Sequence, residues 1–89
     1  MYQREVVLYT RSHSLGGWLT ARLLRHIGCY FEIIDPRSAP ELLVELSKAA
    51  QHKASLPYVF VDHRPVGGVG VVRGLVRSGQ FNHLLRDRL

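Results

Sequence analysis

The chain has 89 residues, of which 46% are hydrophobic and 21% are charged, and its formal net charge is +5. This length fits one compact domain, and the hydrophobic fraction excludes intrinsic disorder as the main state. No apolar run approaches the ~20 residues that a membrane helix needs. The single cysteine excludes an internal disulfide and a cysteine-rich zinc site. We expect one domain over residues 1–89.

The first half of the sequence predicts a strand, a helix and a second strand. Residues 5–10 form a short run rich in β-formers, which begins so early that we expect no signal peptide and a cytoplasmic location. Apolar residues at helical spacing follow from Leu15 to Ile27, and Gly28 stands where a C-terminal cap belongs. A β-rich run from Tyr30 to Ile34 ends at Asp35. This pattern favours a βαβ unit with parallel strands.

The second half predicts a helix, a hairpin and two further helices. Ser38 and Glu41 have the spacing of a capping box. The predicted helix that they open buries Leu42, Leu43, Leu46, Ala49 and Ala50. Residues 58–61 form a third strand, and Asp62 and His63 turn the chain into a fourth strand whose Pro65 requires a sheet edge.

The remaining residues follow Gly67 and Gly68. Residues 69–78 predict a helix that Gly79 stops, although its glycines and valines give it a low helix propensity. Residues 80–89 predict a last short helix. Its apolar positions are Phe81, Leu84, Leu85 and Leu89, and Arg86 and Arg88 lie in its final turn.

This order of elements, together with three short motifs, resembles a glutaredoxin, a small member of the thioredoxin fold. The motifs are Val-Leu-Tyr-Thr-Arg at 7–11, Ser-Leu-Pro-Tyr-Val-Phe-Val at 55–61 and Gly-Gly at 67–68. The resemblance spans residues 4–86. It implies a four-stranded mixed sheet in the order 2-1-3-4, flanked by helices, with the topology βαβαββα and an additional C-terminal helix.

The resemblance also implies an active site that this sequence has lost. Glutaredoxins carry Cys-x-x-Cys, or Cys-Gly-Phe-Ser, just after the basic residue that Arg11 matches. The matching segment here is Ser-Leu-Gly-Gly, so Ser14 and Gly17 occupy the cysteine positions. A serine hydroxyl cannot form a mixed disulfide, because that chemistry needs a thiolate. We interpret Ser14 as the N-cap of the first helix, and the divergence of the whole segment favours a natural rather than an engineered change.

The only thiol in the sequence stands elsewhere. Cys29 follows the first helix, about 20 Å of helix away from Ser14. The dipole at a helix C-terminus raises a thiol pKa, and we therefore interpret Cys29 as a small core residue. The glutathione-disulfide oxidoreductase activity that the family implies thus has no catalytic residue at its usual place.

The resemblance implies that part of a glutathione site remains. Glutaredoxins hold this tripeptide between the active-site loop, the peptide before a cis-proline and the start of the third helix. The matching positions are Arg11, Lys53, Leu56, Pro57, Gly67 and Gly68. The acidic residues that usually follow Gly-Gly are replaced by Val69, Gly70 and Val71. The ammonium group of glutathione therefore lacks a counter-charge, and we expect weak binding at most and no other cofactor.

The basic charge gives a second basis for function. Arg22, Arg25 and His26 are close in the first helix, and Arg73 and Arg77 lie one turn apart in the third. If the fold brings these helices to one side of the sheet, a basic face could meet an acidic protein, although solvated charge is the simpler interpretation. Trp18 is either a core residue or a partner contact. The five histidines have no metal-ligand spacing, and we expect no metal, nucleic acid or membrane partner.

We therefore predict a non-catalytic binding or interaction module that uses the old substrate groove beside Ser14, Leu56 and Gly68. The alternative is a glutathione-dependent redox protein, active in electron transfer and redox homeostasis through a ligand thiol or a partner thiol. The predicted state is a monomer or a weak dimer.

Overall fold

The computed structural model describes residues 4–50 and 56–85, whose elements follow the predicted order. They are β1 (Val6–Tyr9), α1 (Leu15–His26), β2 (Glu32–Ile34), a 3-10 turn (Pro36–Ser38), α2 (Glu41–Ala50), β3 (Tyr58–Val61), β4 (Arg64–Gly67), α3 (Val69–Ser78) and α4 (Gln80–Leu85). Within the described ranges, no helix is long and apolar enough to cross a membrane.

The four strands form one mixed sheet in the order β2-β1-β3-β4, which confirms the predicted order. β1 runs parallel to β2 and antiparallel to β3, and β4 pairs with β3 at the edge. Pro65 has no N–H to donate, and the edge position of β4 accommodates it. Asp62 and His63 both have positive φ values, 50° and 65°, in the tight turn between β3 and β4.

The two faces of the sheet differ in how much they bury. Alternation along β1 places Val6 and Leu8 in the main core, beneath α1, α3 and α4. The members of that core are Val6, Leu8, Ala21, Leu24, Cys29, Val59, Val61, Val72, Phe81 and Leu85. The opposite face holds a smaller cluster of Leu46 from α2 with Tyr58 and Phe60, against which Tyr9 packs. The α1 and α3 side therefore carries most of the hydrophobic stabilisation.

The capping box predicted at Ser38 is wrong. Ser38 lies inside the 3-10 turn, where its Oγ donates to the carbonyl of Asp35 at 2.7 Å. Asp35 is the residue that caps this turn, because its Oδ1 accepts from the Arg37 N–H at 2.9 Å. Asp35, six residues before α2, thus provides the side-chain cap that the sequence predicted at Ser38, and it caps the 3-10 turn instead of α2.

The structure corrects two other predictions, the start of β2 and the number of buried residues in α2. β2 begins at Glu32 rather than at Tyr30, whose side chain is 83% exposed. Of the residues predicted to be buried in α2, Leu46 is buried, Leu42 is half-buried, and Leu43 and Ala49 are exposed. The side chain of Ala50 lies outside the described residues, as do Arg86, Arg88 and Leu89. Among its described side chains, α2 buries only Leu46, which packs in the small cluster beneath it.

Candidate functional site

The N-terminus of α1 begins at Ser14, as predicted. The backbone of Ser14 is extended, with φ −82° and ψ 129°, and its Oγ accepts from the Gly17 N–H at 3.1 Å. Its carbonyl accepts the first helical hydrogen bond, from the Trp18 N–H at 2.9 Å. The first turn of α1 contains no acidic residue. The side-chain oxygen of Ser14 therefore stands at the positive end of a helix dipole.

The loop before α1 is attached to the end of β2. Both the backbone N–H and the Oγ of Ser12 donate to Asp35 Oδ2 at 3.2 Å. Hydrogen bonds from Arg37, followed by those from Ser12, hold the pKa of the Asp35 carboxyl well below its usual range. Arg11 is exposed, and His13 has a positive φ of 63°. The loop thus presents Arg11 to solvent while Asp35 fixes its backbone.

Gly17 is packed against Thr10 so closely that it has no room for a side chain. A Cβ at Gly17 would overlap the Thr10 Oγ1 and would lie 2.9 Å from the Thr10 Cβ. Both residues are buried. The sequence signals no such contact, because a threonine at the end of β1 and a glycine in α1 meet only in the folded chain. Gly17 is therefore required by packing at this position.

Pro57 lies between the start of α1 and the start of α3. Its peptide bond with Leu56 is cis, as predicted from the resemblance. A Cβ at Gly16 would lie 3.2 Å from the Pro57 Cδ and 3.8 Å from the Ser14 Oγ. On the other side, a Cβ at Gly68 would lie 3.3 Å from the Pro57 carbonyl oxygen. The fold therefore brings the positions of Ser14, Pro57 and Gly68 together, and Lys53 lies outside the described residues.

The start of α3 has no side chain that closes it. Gly68 is the N-cap, with no side-chain hydrogen bond, and its carbonyl accepts from the Val72 N–H at 3.0 Å. Gly67 has a φ of 149°, and a Cβ there would lie 2.7 Å from the Val71 Cβ. The first turn of α3 contains no acidic residue. This end of the groove offers backbone N–H groups, which favour an anion, and no carboxylate for an ammonium group.

Cys29 is a core residue, as predicted. It follows the C-terminal end of α1, where its N–H donates to the Leu24 carbonyl at 3.0 Å, and it is 6% exposed. Its Sγ lies 3.4 Å from the Tyr30 carbonyl oxygen. Burial raises the pKa of the thiol from 9.0 to about 11. Cys29 is therefore a neutral thiol at physiological pH.

The basic residues of α1 and α3 are partly brought together. A cleft of about 290 Å³ lies between the two helices. Its lining is Leu19, Arg22, Leu23, His26, Val69 and Arg73. Arg25 is placed differently, with its guanidinium 5.6 Å from the centroid of the Phe31 ring. Trp18 is 53% exposed, so it is not a core residue.

A metal site at the groove or the cleft would need several ligating side chains close together among the described residues. Across residues 4–50 and 56–85, no group of three or more His, Cys, Asp or Glu side chains is placed to hold a metal ion. His63 lies at the hairpin tip, where its Nε2 is 3.2 Å from the Glu5 Oε1. We find no buried side-chain polar atom without a hydrogen bond in this part of the chain.

Comparison with known proteins identifies the fold. The sequence matches no family model and no curated protein. Among solved structures, the chain is similar to a glutaredoxin from Brucella melitensis, with 27% identity, coverage of 96% of this chain and 91% of that one, and a TM-score of 0.80. It is also similar to a buckwheat glutaredoxin–glutathione complex, with 16% identity, coverage of 92% and 76%, and a TM-score of 0.81. A reduced poplar glutaredoxin C1 gives 18% identity, coverage of 94% and 74%, and a TM-score of 0.82.

Proposed function

We propose that this glutaredoxin-like protein, which has no Cys-x-x-Cys segment, is a non-catalytic binding module with a degenerate active site. The binding site is the groove bounded by Ser14, the Leu56–Pro57 peptide and Gly68. The observation that carries the proposal is the role of Ser14 at the first cysteine position, where its hydroxyl oxygen accepts from the Gly17 N–H and caps α1 instead of supplying a thiolate. The contact between Gly17 and Thr10 also leaves no space for a side chain at the second position. We further propose a cytoplasmic location, as expected for a chain with one reduced thiol.

The remaining thiol does not replace the missing ones. Disulfide exchange needs a thiolate that is accessible and has a lowered pKa. Cys29 is buried, its pKa is raised to about 11, and it stands at the opposite end of α1 from Ser14. Neither of the two requirements is met. The fold therefore supports a retained scaffold rather than a relocated active site.

The groups around the groove favour an anion or an extended peptide backbone. Leu56 precedes a cis-proline and is half-buried, so its backbone can pair with an extended ligand as a sheet edge does. Arg11 adds an exposed positive charge. The start of α3 supplies backbone N–H groups without a carboxylate. A zwitterionic tripeptide loses one charge-assisted hydrogen bond at such a site, and we propose that glutathione binds no tighter than ~1 mM, about 4 kcal/mol.

The alternative function is a glutathione-dependent redox protein that works through the thiol of its ligand or of a partner. The observation that favours it is the arrangement of Gly16, the cis Leu56–Pro57 peptide and Gly68 around one groove. One of the solved structures similar to this chain is a glutaredoxin–glutathione complex. If this alternative holds, glutathione is the cosubstrate and Ser14 contributes only a hydrogen bond.

An amide chemical-shift titration distinguishes the two functions. We expect glutathione and sulfate to shift the amides of Arg11, Leu56 and Gly68 to similar extents, without saturation below ~1 mM. Arg64, an exposed cation on β4, is the internal control and should not shift. The same samples should reduce a glutathione mixed disulfide no faster than the background reaction. Saturable glutathione binding at tens of micromolar, or turnover that survives Cys29→Ala, would support the redox alternative and contradict the binding module.

A further inference from the structure

The cleft between α1 and α3 combines an apolar floor with a cationic rim. Leu19, Leu23 and Val69 contribute aliphatic carbon to a volume of about 290 Å³. Leu23 packs against the main core, whereas Leu19 is 41% exposed. Arg22 and Arg73 line the same space from opposite helices. The cleft therefore offers apolar contact to an inserted side chain and positive charge to its flanks.

Charge is segregated between this side of the molecule and the rest. The sequences of α1 and α3 contain no acidic residue. In residues 4–50 and 56–85 every carboxylate side chain belongs to another element or turn. These residues are Glu5, Glu32, Asp35, Glu41, Glu45 and Asp62. The positive charge of the cleft is thus not neutralised by its own helices, and it is available to an external anion.

Trp18 lies beside the cleft, one turn before Arg22 on α1. The centroid of its ring lies 5.4 Å from the Arg22 guanidinium carbon, at cation–π distance. The ring holds the guanidinium beside the cleft, so less side-chain entropy is lost when Arg22 binds a carboxylate. Tryptophan and arginine are also the side chains most enriched at the centres of protein interfaces.

From this combination we infer that the α1–α3 cleft binds an acidic amphipathic segment of a partner protein. Aliphatic side chains of the segment enter between Leu19 and Val69, and carboxylates on either side pair with Arg22 and Arg73. Nucleic acid fits less well, because its phosphates would face the aliphatic floor. The inference does not depend on the groove at Pro57, since Ser14, Leu56, Pro57 and Gly68 do not line the cleft, and the cleft uses only the side chain of Val69 from the start of α3.

Trp18 is the only tryptophan of the chain, so its fluorescence reports on this surface directly. The probe is a helical peptide that presents leucines on one face and glutamates beside them. We expect a saturable change in Trp18 emission with a Kd of roughly 100 µM or tighter. A peptide with glutamine in place of glutamate should bind roughly tenfold more weakly. No binding of the acidic peptide, equal binding of the two peptides, or tighter binding to a single-stranded oligonucleotide or to phosphatidylserine vesicles would overturn the inference.

Two matched double variants separate the cleft from general charge. Arg22→Gln with Arg73→Gln removes both cations that line the cleft, and we expect roughly tenfold weaker peptide binding. Arg25→Gln with Arg77→Gln removes the same charge from the same helices outside the cleft, and we expect less than about a threefold change. Equal weakening in both pairs would overturn the inference. Arg11→Gln, which removes the exposed cation beside the groove at Pro57, should change peptide binding less than about threefold, so failure of the groove proposal remains distinguishable.

Discussion

The two ends of α1 carry opposite chemical environments. At the N-terminal end, the Ser14 Oγ accepts from the Gly17 N–H, and the positive end of the helix dipole faces the groove. At the C-terminal end, Arg25 and His26 occupy the last turn and Cys29 is buried behind it. The first environment lowers the pKa of a thiol, whereas the second raises it. α1 therefore has the Ser14 hydroxyl at the end that would lower the pKa of a thiol, and the Cys29 thiol at the end where burial raises it.

This difference separates the local fold at the start of α1, which matches that of a glutaredoxin-like chain, from the residues that the start of α1 carries. Ser14 still caps α1, and the backbone of Pro57 still meets Gly68. At Gly17 the helix lies so close to Thr10 that only glycine fits. A side chain added at Gly17 should therefore lower the stability of the fold. A thiol in place of the Ser14 hydroxyl should be tolerated.

The largest expected effect comes from placing a methyl group at Gly17. Gly17→Ala should lower the free energy of unfolding by about 2–3 kcal/mol, because the new Cβ overlaps a buried threonine and one of the two elements must shift. Gly74→Ala is the matched control, since its Cβ would meet nothing within 4 Å in α3. That variant should gain about 0.5–1 kcal/mol from higher helix propensity. Urea denaturation measures both, and a Gly17→Ala variant as stable as the parent would mean that the close contact is absent.

The second effect is a pH dependence of stability that arises from Cys29, behind the C-terminal end of α1. The pKa of Cys29 is raised from 9.0 to about 11 by burial, so between these values the unfolded state releases a proton that the folded state keeps. Cys29 therefore contributes its full stability below pH 9 and loses it as the pH rises towards 11. The expected loss is about 2 kcal/mol. Urea denaturation at pH 8 and at pH 10.5 should show this loss in the free energy of unfolding, and Cys29→Ala should make the difference between the two pH values smaller. The same difference in the parent and in Cys29→Ala would mean that the Cys29 thiol is in contact with water.

Local signals in the sequence were enough to predict α1 and the site residues at its start. Ser14 is an N-cap by residue type, and Gly28 ends the helix in a left-handed conformation, with φ 73°. The strand order followed from one βαβ unit and one hairpin together with the resemblance. The two ends of α1 depend on residues within a few positions of each other, so they can be predicted from one sequence.

The features that could not be predicted depend on contacts between distant residues. The Thr10–Gly17 contact requires the exact approach of α1 to β1. The position of Ser38 was predicted wrongly because Asp35 competes for the same backbone groups. Burial in α2 was overestimated, since periodicity shows which face is apolar and not how much protein covers it. The cleft at Arg22 and Arg73 depends on how α1 and α3 pack, which no local pattern reports.

The smallest effect tests the N-terminal end of α1 directly. Ser14→Cys, made together with Cys29→Ala, leaves one thiol, which accepts the Gly17 N–H and faces the helix dipole. We expect its pKa to lie at least one unit below the ~8.5 of a free cysteine, equivalent to about 1.4 kcal/mol in favour of the thiolate. Thiolate ultraviolet absorbance against pH measures it, with Cys29 of the parent chain as the raised-pKa control. Because the thiol is only slightly larger than the hydroxyl and Ser14 is half-buried, the fold should not change. A pKa at or above the free value would mean that Ser14 does not stand at the position of a reactive cysteine, and the comparison between the two ends of the helix would fail.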